Sequence, residues 1–390
     1  MINKKGISKF TALFFVIIII TDFYYKYLLY NSSETIKLLL VTKFLIGTFL
    51  VTIIIYFKQL DRKNYFYLSL LFICSIIGLL IQGGSTMDES IYLFSKYAFG
   101  IITMLFFFKW YERLNTSYIK KAILALVLLN FACIVVGFVF SIHVFETYYG
   151  NRFGYNGIFK STSTASYFYM FALVFYLLNK HKTIITYTII SIIVFSSFFV
   201  GSKTLIAFIG ITAIIILGRF IALKQNLIKK RLFYVLYAFI IPILGWCVLR
   251  TYIVLNSTLS EVLTKDGMLS AIFSYRDILF IDSMQSVQEH FGFLNYIFGG
   301  GSHINNFPQM ALADLFLSFG IIGMVVYLRL VIYNFPKINN KQATVAFLVI
   351  AMSIVLRGNF LYYPSDIYMA LAIFAVILQD IDKYTNNQKT

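Results

Sequence analysis

Asp314 is the least expected residue of this chain, a carboxylate about two turns inside a predicted apolar helix, among Leu312, Leu315, Phe316 and Leu317. A charge at such a depth costs about 2.5–3.5 kcal/mol on insertion scales, so it is kept only when it is paired or does chemistry. It reads as a general acid or base, or else as a structural partner for Arg276 or Arg357. His303 follows the glycine run Gly299-Gly300-Gly301 and is a second candidate base, or simply part of a flexible loop. His181 falls on the inner face, and His143 and His290 form no pattern. No pair of these residues has metal-ligand spacing, so neither a metal nor another cofactor is expected.

Several cations accompany these groups. On one helix through the segment 251–308, Leu269, Ile272, Phe273, Phe280, Met284 and Val287 would share a stripe, with Asp282, Gln285 and Glu289 opposite. Such a helix lies on a membrane surface or caps a bundle. Arg276 falls in the middle of the apolar stripe. Either it snorkels or pairs internally, or it points a guanidinium fork at an anion such as phosphate. Lys203 follows Gly201-Ser202 and opens a helix, where free N–H groups and a cation make a local anion site; the alternative is a lysine reaching the surface. Arg152 and Lys160 lie in one polar connection, 151–160, and Arg357 ends an apolar run before Gly358-Asn359. Together these cations predict a site for a strongly anionic group, such as the diphosphate of a lipid carrier.

The elements that hold these residues are membrane spans. Of 390 residues, 60% are hydrophobic and 13% charged, against about 25% charged in soluble chains. Apolar runs long enough to cross a hydrocarbon core of about 30 Å are predicted near 9–28, 36–57, 65–83, 91–109, 119–141, 164–179, 183–200, 203–221, 232–250, 309–333, 342–356 and 363–380. The expected fold is therefore all-α, a single membrane domain over 1–390 with about twelve transmembrane helices. Most of the 33 lysines and arginines fall in alternate short connections, which puts those connections and both termini in the cytoplasm. The long segment 251–308 between the ninth and tenth spans is then extracytoplasmic. A net charge of +17 distributed this way encodes orientation and gives no reason to expect nucleic acid. Cys74, Cys133 and Cys247 lie within or at the ends of apolar runs and read as packing residues. The basic patch Lys4, Lys5 and Lys9 precedes an apolar run with no small-residue cleavage site after it, so this run is expected to stay as the first span.

A family pattern emerges from the order of short motifs. It comprises Arg152-x-Gly154-x-x-Gly157-Ile158-Phe159, Gly201-Ser202-Lys203-Thr204, Arg276 with Leu279, Phe298-Gly299-Gly300-Gly301, and Gly320-Ile321-Ile322-Gly323. Over about residues 150–335 the chain resembles the bacterial O-antigen and capsular polysaccharide polymerases (Wzy) of the O-antigen ligase superfamily. The resemblance implies a GT-C-like helical bundle and a metal-independent glycosyltransferase. It implies transfer of a sugar chain from undecaprenyl diphosphate to a hydroxyl on the outer face of the cytoplasmic membrane. The implied partners are an undecaprenyl-diphosphate-linked oligosaccharide, membrane lipid and a chain-length regulator. Arg152, Arg276 and Lys203 would contact the diphosphate, with Arg357 beside them and Asp314 or His303 as base. Ligases usually carry a His-Asn or similar pair eleven residues before the first glycine of the last motif; here that position is Gln309, which favours a polymerase. Lys203 stands where many relatives have Arg. A ligase-like transferase and a flippase for the same lipid-linked units are the competing expectations.

Overall fold

The computed structural model describes residues 4–31, 38–82, 87–148, 153–179, 183–223, 250, 254, 257–300, 307–338, 340–358 and 360–387. Among them the protein is all-helical, with one isolated antiparallel bridge between Glu146 and Tyr155 and no strand. The first eight helices are α1 Lys4–Asn31, α2 Leu38–Tyr56, α3 Arg62–Gln82, α4 Met87–Trp110, α5 Ser117–Phe140, α6 Thr162–Leu178, α7 Ile184–Val200 and α8 Lys203–Leu223. Four short ones follow, α9 Ser257–Lys265, α10 Gly267–Phe273, α11 Arg276–His290 and α12 Phe293–Phe298. The last three are α13 Ala311–Asn334, α14 Lys341–Arg357 and α15 Pro364–Asn387.

Among the described residues six helices (α1, α3, α4, α5, α13 and α15) are long and apolar enough to cross a membrane, and α2, α6, α7, α8 and α14 are shorter apolar helices. The ninth expected span, 232–250, lies outside the described residues except for Arg250, as does Cys247. Local chemistry sets several boundaries. Ser161 and Thr183 cap α6 and α7 by accepting from Thr164 N and Thr186 N, and Asn340 accepts from Gln342 N and Ala343 N at the start of α14.

Helices α6 and α15 form the centre. Ser163 to Tyr176 are buried on every side, as are Pro364 to Leu378. Helix α15 packs on α1, α4, α5 and α6, while α6 also touches α7, α8 and α14. The outer helices are apolar on their exposed sides, with Phe44, Leu80 and Ile184 at 72%, 76% and 85% exposure. An apolar exterior around an apolar interior suits lipid better than water. One end of the bundle is closed by polar contacts. Thr116 donates to Gln379 (2.7 Å), Lys120 pairs with Asp380 (2.7 Å), and Tyr333 donates to Asp61 (2.7 Å).

The single amphipathic helix expected through 269–287 is not present. Ser274 and Tyr275 both have positive φ (55° and 66°), so the chain turns between α10 and α11, and Leu269 is exposed rather than on a shared apolar stripe with Val287. Val262 and Ala271 bury a small cluster of their own, and Val287 joins Leu317 of α13 in a second one.

Candidate functional site

The site lies at the end of the bundle opposite the Gln379 and Asp380 contacts, and backbone packing builds it. Gly358 ends α14 with φ 65°, and a Cβ there would overlap the Gln309 carbonyl and the Met310 amide. Only glycine lets the two chains meet so closely. This brings the last residue of α14, Arg357, to the first turn of α13, which carries Asp314. Asp314 is therefore one turn inside its helix, not two as the sequence predicts. Its carboxylate is buried, lies against the backbone amides of Gln309 and Met310, and has one oxygen with no hydrogen-bond partner among the described residues.

Arg276 comes from the other direction. The turn at Ser274 and Tyr275 makes it the first residue of α11, and a hydrogen bond from Ser270 to Asp277 ties α10 to α11 across that turn. The half-buried guanidinium is within electrostatic reach of Arg357, Tyr167, Tyr148 and Asp314. Burial and the neighbouring Arg357 hold its pKa down at about 10, against the opposing pull of the tyrosines and Asp314. It stays charged at neutral pH. Arg357 donates to Ser202 Oγ (2.8 Å) and lies 5.8 Å from the Tyr167 ring, whose hydroxyl donates to the Gly358 carbonyl (2.8 Å). Arg276 of α11 thus lies within electrostatic reach of both Arg357 of α14 and Asp314 of α13.

The other predicted residues fare differently. Lys203 borders the group through Ser202, but its ammonium donates to the Ala271 carbonyl and so ties α8 to α10. Arg152 and His303 lie outside the described residues. The glycine motifs are packing devices. Gly299 (φ 83°) and Gly320 (φ 65°, ψ −174°) meet backbone to backbone, and Gly78 of α3 closes on the Phe298 carbonyl. Gly320 kinks α13 there, and the kink holds α12.

A second polar tract adjoins the first and was not singled out from sequence, Lys160 apart. Asp366 is fully buried; it accepts from Thr164 Oγ1 (2.6 Å) and is within electrostatic reach of Arg357, Asp22 and Lys43. Asp22 lies 4.0 Å from Lys43. The Lys96 ammonium sits 3.5 Å and 4.0 Å from the Tyr362 and Tyr92 ring centroids, and Lys160 sits 4.1 Å and 5.8 Å from those of Tyr25 and Tyr363. Lys26 donates to Asn156 Oδ1 (2.6 Å) and the Gly157 carbonyl (3.0 Å). The available signal was the charge inside apolar runs: Asp22 and Lys26 in the first, Lys43 in the second, Lys96 in the fourth and Asp366 in the last.

Among the described residues no group of three or more His, Cys, Asp and Glu side chains is placed to hold a metal ion. Comparison of the chain with protein-family models, curated proteins and solved structures finds no match.

Proposed function

We propose that the protein is a polysaccharide polymerase, a lipid-diphosphate-dependent glycosyltransferase of the outer face of the cytoplasmic membrane. It joins undecaprenyl-diphosphate-linked oligosaccharide repeat units into an O-antigen or capsular polysaccharide. The observation that carries this reading is the position of Arg276, within electrostatic reach of both Arg357 and the buried Asp314 carboxylate. Both termini are cytoplasmic in this proposal, twelve spans cross the membrane, and 251–308 lies outside with the site.

The chemistry follows from the residue types. In the donor, the bond between the anomeric carbon and a phosphate oxygen breaks, and the diphosphate leaves with the electron pair. Arg276 and Arg357 stabilise the charge that grows on it, which is often the largest catalytic term. The acceptor hydroxyl forms the new bond to the anomeric carbon and gives its proton to Asp314, whose unpartnered oxygen is the available acceptor. The short helices α9 to α12 stand over this end and help align two long substrates.

Purified protein supplied with lipid-linked repeat units tests the reading directly. A ladder of longer lipid-linked chains is expected, and a chain-length regulator would shift its distribution. In cells, deletion of the gene should leave single repeat units attached to the surface. A surface bearing no units would point to a flippase, and lipid-linked chains made but not attached would point to a ligase; either result overturns the proposal.

A further inference from the structure

The tract of Lys43, Lys96, Lys160, Asp22 and Asp366 has no task in the transfer step above, yet it is costly to maintain. Lys43 and Lys160 feel both carboxylates, while Lys96 feels only Lys43 and Lys160, so the two carboxylates face two ammonium groups and a third lies behind them. An ammonium has three N–H donors. The tyrosine faces around Lys96 and Lys160 hold the charges in place by cation–π attraction but accept none of those hydrogens. Conversely, both oxygens of Asp22 and one of Asp366 are buried with no hydrogen-bond partner among the described residues. A buried carboxylate oxygen without a donor calls for an explanation. The lysines, Tyr25, Tyr362 and Tyr363 are only half-buried and Tyr92 is exposed, so the tract is open above its buried carboxylates.

These features complement one kind of ligand. Unfilled carboxylate acceptors suit sugar hydroxyls, tyrosine faces suit the C–H face of a pyranose ring, and lysines with unused donors suit an anion. Resting on the polymerase reading, we infer that this tract is a glycan subsite that binds an acidic sugar residue of the repeat unit. The sugar's carboxylate or phosphate lies between Lys43, Lys96 and Lys160, and its hydroxyls donate to Asp22 and Asp366. The subsite touches the reaction centre through Asp366 and Arg357, so a bound residue sits next to the transferred bond. The polymerase would then select acidic repeat units over neutral ones.

The test uses the full chain in nanodiscs of uncharged lipid, with tetragalacturonate as probe and its fully methyl-esterified form as the uncharged control. Tetragalacturonate should bind at least about tenfold more tightly than the ester, and its affinity alone should fall as salt rises from 50 to 500 mM. Lys43→Gln, Lys96→Gln and Lys160→Gln should each weaken it about tenfold, while undecaprenyl diphosphate binding stays within twofold. Arg276→Gln should do the reverse. Equal binding of acid and ester, binding of neither by the unaltered protein, or salt-independent binding would overturn the inference without need of any variant. So would lysine variants that lose undecaprenyl diphosphate and not tetragalacturonate, which would make the tract a diphosphate site. If Arg276→Gln retains undecaprenyl diphosphate while the lysines govern the acidic glycan, the subsite stands and the reaction centre proposed above is the part that fails.

Discussion

Gly320→Ala is the sharpest test of how the short helices α9 to α12 are held on the bundle. The residue has φ 65° and ψ −174°, a region essentially reserved for glycine, and forcing alanine into it costs about 1–3 kcal/mol. The new Cβ would also overlap the Ile297 carbonyl and the Gly299 amide. Both are backbone, so no side-chain rotation relieves the clash, and overpacking of this kind adds about 1–3 kcal/mol. The total of roughly 2–6 kcal/mol is large against a typical stability of about 5–15 kcal/mol. The assay is thermal unfolding followed by fluorescence-detected size exclusion, with polymer length measured in the same strain. A fall in Tm of at least about 4 °C, or failure to accumulate, is expected, with shorter or absent polymer. Gly210→Ala is the control, because a Cβ there meets nothing within 4 Å and the position is helical. That change should be neutral or stabilising by up to about 1 kcal/mol. A Gly320→Ala protein that melts like the unaltered one would refute the packing argument.

Arg276→Ala should abolish polymer while the protein still accumulates, and Arg276→Lys should recover only part of the activity, since lysine lacks the bidentate fork. Stability should move the other way. Burial and the neighbouring Arg357 lower the pKa of Arg276 to about 10 on folding, so below about pH 10 the folded protein carries a disfavoured charge whose penalty lessens only as pH rises above that value. Arg276→Met should therefore hold or raise Tm at neutral pH; a clear fall would mean that Arg276 is a structural ion-pair partner instead. Asp314→Asn should slow polymerisation about 10²–10⁴-fold and leave lipid-linked units bound. Normal chains from that variant, with none from His303→Ala, would move the base to His303. For topology, a reporter active only outside the cytoplasm should be active when fused after Lys265 and silent after Lys229; the reverse pattern would remove the site from the outer face.

Part of the candidate site was legible in the residues. A carboxylate inside an apolar run is expensive wherever the chain goes, so Asp314 stood out before any packing was known, and Arg357 stood out as a cation that ends such a run. Arg276 was singled out for a reason that did not survive. The stripe around it assumed one helix, and the left-handed pair Ser274 and Tyr275, which no residue type announces, breaks that helix. Lys203 shows the converse limit, because whether a lysine holds a ligand or a backbone carbonyl depends on which carbonyl the fold presents, here that of Ala271.

Hydrophobicity by itself determined the helical, membrane-compatible character and where most helices lie. Long apolar runs must satisfy their own backbone hydrogen bonds in lipid, and helices do so without reference to one another. Tertiary structure alone decided which helices became neighbours. Between apolar helices that choice rests on close backbone approach, as at Gly299 and Gly320 and at Gly358 and Gln309, and the periodicity of any single run does not record its partner. The meeting of Arg276, Arg357 and Asp314, and the gathering of Lys43, Lys96 and Lys160 from three separate regions of the chain, follow from those contacts.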